Sequence, residues 1–315
     1  MRGLNLDAEQ RELASTVRRF CEDAFRGDGE VVRRDFDRGL WEKLAGLGVL
    51  TLATEEGGGG AGHIAAVMAQ LGRAGFAGPL VPAVIAGQLL PAADRERVLS
   101  GATLAAVAGE SPRVPWAPIA DIFIKLDSDG FAYRALPASD IAPLETLGGQ
   151  PWGELKLDTS SRLGAIQRPV ALADIALAAY LAGSAGRVVE IAADYVKHRR
   201  QFGRALGEFQ AVAHPLADCH AHAVAAQDSA LYAAHHYDAG TSTLAALAAA
   251  ARLSATDAAT RAAYAGHQAL GGMGFVEGTL LSVLTRAART LSLGPPGLDA
   301  TRSATLGRFS GAVRA

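Results

Sequence analysis

The hydrophobic positions fall into three successive patterns. Over the first hundred residues they recur at helical spacing. Asp7 with Gln10 three residues later reads as a capping box, and Leu13, Val17, Phe20 and Cys21 then form one apolar stripe. Further helical runs are predicted around 35–47, 62–74 and 81–90, punctuated by Gly and Pro. From about 103 to 160 the period changes. Short apolar runs (104–107, 122–126, 154–157) alternate with turn residues, and Asp127-Ser-Asp-Gly130 reads as a hairpin turn. From about 168 to 292 four long helices are predicted, at 170–201, 208–237, 243–269 and 276–292, with alanines that allow close packing as in a four-helix bundle. The expected fold is mainly α with a small β domain: an N-terminal helical domain (1–102), a middle β-domain (103–162) and a C-terminal four-helix bundle (163–315). No fixed-period repeat is visible, which argues against a solenoid. The last twenty residues, from Pro295-Pro296, are expected to be extended or mobile.

Composition narrows the function classes. Half of the 315 residues are hydrophobic and 20% are charged, ordinary for a globular chain with a sizeable core. A net charge of −2 gives no reason to expect nucleic acid or an anionic membrane as partner. Two cysteines, Cys21 and Cys219, make no disulfide framework and read as reduced, buried thiols. The run 170–186, charged only at Asp174, is near the lower limit for a membrane span but is alanine-rich with glycines inside it, so a buried core helix is expected. With no signal peptide read at the start, the expected location is cytoplasmic, with no membrane association.

Candidate chemistry sits at the ends of the long helices. Arg199, Gln201, Phe202 and Gln210 combine a guanidinium, an aromatic ring and amides, which suit a diphosphate, a flat ring and donor–acceptor edges. Residue types alone favour a basic helix C-terminus at 197–200 followed by a turn at Gly203. Gln268, Gly271, Gly272 and Gly274 form either a close-approach turn for a phosphate-bearing ligand or a plain helix C-cap. Gly57, Gly59 and Gly62 spell G-x-G-x-x-G, but Glu55-Glu56 stand where phosphates would arrive and no βαβ pattern surrounds them, so a mobile loop is expected. His220/His222 and His235/His236 have the wrong spacing to share a helix face, and Pro215 is expected to disturb the helix start between His214 and Asp218. No metal site is expected.

Two segments, Tyr195-Val-Lys-His-Arg-Arg-Gln-Phe-Gly203 continuing through Glu208-Phe-Gln210-Ala-Val, and Gln268-Ala-Leu-Gly-Gly-Met-Gly-Phe275, resemble the two signatures of the acyl-CoA dehydrogenase family. Arg286 matches the family's R-[DA]-A position, and Leu40 to Gly48 with Glu55-Glu56 is similar to its amino-terminal domain. The resemblance implies FAD, held in part by Arg199, Gln201, Phe202, Gln210, Gln268, Gly271, Gly272 and Gly274 across a subunit interface, an acyl-CoA substrate desaturated at its α,β bond, and an electron acceptor protein. The usual loop glutamate falls at Gly294-Pro295-Pro296-Gly297, where no carboxylate stands. The family's alternative position, on the first bundle helix, falls at Ala173 or Asp174, which makes Asp174 the candidate base: the only charged residue between Arg168 and Arg187, placed in apolar surroundings that raise a pKa. Glu277 matches a position that is usually not the base, and Asp257 reads as a polar-face residue. The middle region, with Leu104 to Pro112 at the usual flavin-contacting strand, departs most, so the resemblance implies few flavin contacts from this chain's own β-domain. A short chain with a reduced β-domain and no loop glutamate is similar to family members that pair with a longer relative in hetero-oligomers, although a homo-oligomer remains open. The alternatives are a non-catalytic accessory subunit and a flavin monooxygenase on the same fold.

Overall fold

The computed structural model describes residues 5–26, 32, 34–54, 57–295, 297 and 301. Expectations for Glu55-Glu56, and nearly all of those for the tail after Pro295, lie outside these residues. Helix α1 (Ala8–Ala24) starts at the expected capping box: Gln10 N–H donates to the Asp7 carboxylate (2.9 Å) and Asp7 N–H donates to the Gln10 side chain (3.1 Å). In α2 (Arg38–Gly46), Asp37 accepts from Leu40 N–H at 2.7 Å, and Trp41 and Leu44 are fully buried. Helices α3 (Ala61–Ala74) and α4 (Leu80–Leu89) follow, then α5 (Ala92–Leu99), which hydrophobic spacing did not reveal because only Val98 and Leu99 are buried.

The G-x-G-x-x-G run leads into α3. The helix N-terminus there is occupied by the chain's own Asp238, whose carboxylate accepts from Ala61 N–H (2.8 Å) and Gly62 N–H (3.3 Å). A carboxylate thus takes the place an external anion would need.

The middle region forms two small sheets. β1 (Ala105–Ala108), β3 (Ile122–Leu126), β4 (Phe131–Pro137) and β7 (Leu157–Ala165) pair in the order β1-β3-β4-β7, parallel between β1 and β3 and antiparallel elsewhere. β2 (Arg113–Pro115), β5 (Ala142–Leu144) and β6 (Trp152–Glu154) form an antiparallel sheet in the order β2-β6-β5. The expected hairpin turn joins β3 to β4, with Gly130 at φ +87°. The run 154–157 is not one strand: β6 ends at Glu154 and β7 begins at Leu157. β7 was missed because residues 158–162 are polar and exposed, so no alternation marks it.

The C-terminal helices are α6 (Gln167–His198), α7 (Gln210–Asp238), α8 (Leu244–Leu270) and α9 (Leu280–Ser292). α7 starts at Gln210 despite Pro215, which lies six residues in and removes one intrahelical bond without ending the helix. α6 is long and apolar enough to cross a membrane by composition, yet 78% of that stretch is buried inside the protein. It packs on α3, α7 and α8. Its crossing with α3 is set by two glycines. A Cβ on Gly72 would lie 2.0 Å from the Tyr180 carbonyl oxygen, and one on Gly183 would lie 2.1 Å from the Ala69 carbonyl oxygen. The backbones therefore touch, and Tyr180 donates its hydroxyl to the Phe76 carbonyl at 3.0 Å in the same buried contact. Burial pushes the tyrosine hydroxyl pKa upward.

Gly183→Ala is expected to destabilise the fold by about 1–3 kcal/mol because the helices must separate. Gly186→Ala, whose Cβ would meet nothing closer than Arg73 Nη1 at 3.7 Å, is expected to be neutral or stabilising by about 0.5–1 kcal/mol. Denaturant midpoints of the two variants check the contrast.

Candidate functional site

At its C-terminal end α6 gives way to a two-stranded hairpin, β8 (Arg200–Gln201) and β9 (Arg204–Ala205). Phe202 (φ +53°) and Gly203 (φ +79°) both take left-handed backbone at its turn, as a type I′ turn requires. A phenylalanine pays a steric cost there, and the residue is 88% exposed, with its ring edge-on to Phe209 (6.2 Å between centroids). The Arg204 guanidinium stacks 3.9 Å above the Phe209 ring. Beside this hairpin α8 ends at Gly271 (φ +56°), and residues 271–275 form a short 3-10 turn.

Between them lies a groove of about 650 Å³, whose walls include Tyr195, Arg199, Val212, Gln268, Gly271 and Gly272. Four of the candidate cofactor residues, Arg199, Gln268, Gly271 and Gly272, therefore converge. Gln210 begins α7 next to the groove-lining Ala211. Gln201 and Phe202 sit out on the hairpin, where the Gln201 amide donates to the Arg200 carbonyl at 2.9 Å. Gly274 does not face the groove: it is buried, and a Cβ there would lie 2.5 Å from the His267 carbonyl oxygen. It allows the turn to pack on α8. The donor set fits a diphosphate-bearing cofactor such as FAD. A guanidinium and an amide flank two glycines whose added Cβ atoms would meet nothing within 4 Å, so ligand phosphates can approach the backbone.

A second, apolar pocket lies at the other end of α6, against the β-domain. Its walls include Val107, Trp116, Gln150, Trp152, Leu177 and Pro295, and it encloses about 30 Å³, room for one water-sized group. Trp116 lines it from a left-handed backbone (φ +67°) while 2% exposed, with its ring edge-on to Phe36 at 5.7 Å. The Gln150 Oε1 is buried without a hydrogen-bond partner. No carboxylate is among the described lining residues.

Asp174 sits one turn before Leu177 and is 4% exposed, but its surroundings are not simply apolar. Arg252 of α8, 1% exposed, donates to its carboxylate at 2.8 Å. Arg252 also donates to the Ser292 carbonyl (3.3 Å) and the Gly294 carbonyl (2.7 Å) at the end of α9. Burial pushes the Asp174 carboxyl above its ordinary pKa, and the guanidinium's charge and hydrogen bond pull part of that back. The expectation of a solitary carboxylate is corrected: Asp174 is one half of a buried ion pair that anchors the chain leading into Pro295. Arg252 was missed, although an arginine following Ala248 to Ala251 in a buried helix is itself a signal for a paired charge. Glu277 pairs with Arg286, and Asp257 with Arg261 on an exposed face. Both cysteines are free and buried, with the Cys21 thiol pushed up to about 12 by burial. Among the described residues no group of three or more His, Cys, Asp or Glu side chains could hold a metal.

Residues 7–95 match the model of the acyl-CoA dehydrogenase N-terminal domain, and residues 164–308 that of the acyl-CoA dehydrogenase C-terminal domain. The chain is 31% identical over 255 residues to acyl-CoA dehydrogenase IpdE2 of Mycobacterium tuberculosis, covering 76% of this chain and 77% of that protein. The chain belongs to the acyl-CoA dehydrogenase family. Among solved structures, this acyl-CoA dehydrogenase family member superposes with a TM-score of 0.81 on a chain of the ChsE4–ChsE5 complex from Mycobacterium tuberculosis, at 23% identity and covering 98% of both chains. It superposes equally, at 0.81 and 19% identity, on PigA with FAD and proline, covering 97% of this chain and 98% of that one. The helical N-terminal part, small β region and helical C-terminal part are this family's fold, as expected from the sequence. Membership makes the chain part of an oxidoreductase family.

Within that fold the Asp174–Arg252 pair carries a stability consequence. Asp174→Asn leaves a buried guanidinium without its counter-charge and is expected to cost about 3–5 kcal/mol, read as a fall in the midpoint of chemical denaturation.

Proposed function

We propose that this chain is a subunit of a heteromeric, FAD-dependent acyl-CoA dehydrogenase, contributing Arg199, Gln268, Gly271 and Gly272 to a flavin held largely by a longer partner of the same family. The observation that carries this reading is the contrast between the two ends of α6. The groove at Arg199 is open and equipped for a diphosphate, whereas the apolar pocket is small and, among the described residues, is lined by no carboxylate. Asp174, the candidate base, is bonded to Arg252 behind the pocket wall.

In this reading Arg199 pairs with diphosphate charge, Gln268 supplies an amide to the cofactor, and the uncovered backbone of Gly271 and Gly272 lets phosphate oxygens come close. Gln210 borders the same groove, and Phe202, 88% exposed, is free to contact the partner. FAD bound there would supply the hydride acceptor for α,β-desaturation of an acyl-CoA thioester, with an electron acceptor protein to take the electrons onward. The carboxylate that removes the α-proton belongs to the partner. A similarity to one chain of the two-component ChsE4–ChsE5 complex supports the heteromeric reading, and similarity to an FAD-containing structure supports the cofactor.

The test is Arg199→Ala in the complex with a longer relative. Loss of one charge-assisted contact is expected to weaken flavin binding about tenfold or more, with the association of the two chains retained. An unchanged dissociation constant for FAD contradicts the placement of Arg199 at the cofactor.

A further inference from the structure

We infer that His267 is the positioning residue of the glycine turn between α8 and α9, an inference that rests on the flavin-contact reading of Gly271 and Gly272. His267 lies in the last turn of α8, immediately before Gln268, and its side chain is half-buried. Its Nδ1 hydrogen-bonds the Gly274 carbonyl, and its Nε2 lies 3.1 Å from the Thr285 hydroxyl. A carbonyl oxygen only accepts, so Nδ1 carries a proton. One ring thus ties together the end of α8, the middle of the turn and the second turn of α9.

Gly274 completes the contact from the other side. A Cβ there would sit 2.5 Å from the His267 carbonyl oxygen and 3.0 Å from its Cα, so only glycine lets the two backbones meet. Beyond its own 3-10 bonds, the turn also rests on the Phe275 ring, tilted against His267 at 6.4 Å between centroids, so His267 is engaged from both sides. Gly271 and Gly272 are exposed with open space around them, and Met273 and Phe275 are 51% and 83% exposed. The left-handed Gly271 backbone is therefore held at two places, by α8 before it and by the His267–Gly274 bond after it. A ligand-contacting backbone fixed in this way needs little ordering when the ligand binds, which is where a positioning residue acts. A histidine near a helix C-terminus often serves the helix's own last carbonyls. Here the acceptor is a carbonyl seven residues further on, outside the helix.

The experiment compares His267→Ala and His267→Gln in the flavin-bearing complex with the longer relative, reading backbone amide exchange by segment and the FAD dissociation constant. In His267→Ala, exchange across residues 271–276 is expected to rise about tenfold, the loss of one hydrogen bond of ordinary net strength, while exchange in α6 stays unchanged and FAD binds about tenfold more weakly. Glutamine keeps an N–H that can reach the Gly274 carbonyl, and is expected to restore most of both. Unchanged exchange in the turn overturns the inference, as does an equal rise throughout the chain. Faster exchange confined to the turn with unchanged FAD affinity upholds His267 as its anchor and contradicts the flavin reading instead.

Discussion

The backbone contact between α3 and α6 is the constraint on which the rest depends. Gly72 against the Tyr180 carbonyl and Gly183 against the Ala69 carbonyl bring the N-terminal helices and the bundle to contact distance. α6 then serves as the common axis. It carries Asp174 and Leu177 at the β-domain end and Tyr195 and Arg199 at the other, about 37 Å apart from Asp174 to Arg199 at 1.5 Å per residue. One helix therefore contributes both to an open groove, where Arg199 and Gln268 stand in a largely apolar wall, and to a small apolar pocket against the β-domain.

The apolar pocket is walled by interactions that are individually costly. Trp116 adopts backbone that a bulky residue rarely takes, and such strain persists only where the surroundings over-determine it. Arg252 is buried with Asp174 and satisfies two carbonyls at the end of α9, so the wall containing Gly294 and Pro295 is tied to the bundle by charge. A carboxylate that must take a proton from a substrate needs access and a tunable pKa. Asp174 instead neutralises a buried guanidinium and is not among the described residues that line the apolar pocket.

The sequence was most legible where local chemistry and periodicity agree. The Asp7–Gln10 capping box, the hairpin at Asp127–Gly130 and the four bundle helices all follow from residues near each other in the chain. The convergence of Arg199 with Gln268, Gly271 and Gly272 was legible only through two motifs about 70 residues apart, because periodicity places each on a helix end without saying that the ends meet. What escaped depends on pairs distant in sequence: Asp174 with Arg252, Asp238 with the start of α3, and His267 with Thr285. The strand β7 escaped for a different reason, since one edge of a small sheet can be polar on both faces. Gly274 was grouped with its neighbours by motif, while its Cβ direction shows a packing role.

The most direct measurement is the number of flavins per chain, from visible absorption and protein quantification, for this chain purified alone and for its complex with a longer relative. The account expects a colourless protein alone and one flavin for each pair of unlike chains in the complex. One tightly bound flavin per chain in a homo-oligomer of this protein would contradict it, since the apolar pocket and the small β region would then be forming a complete site of their own.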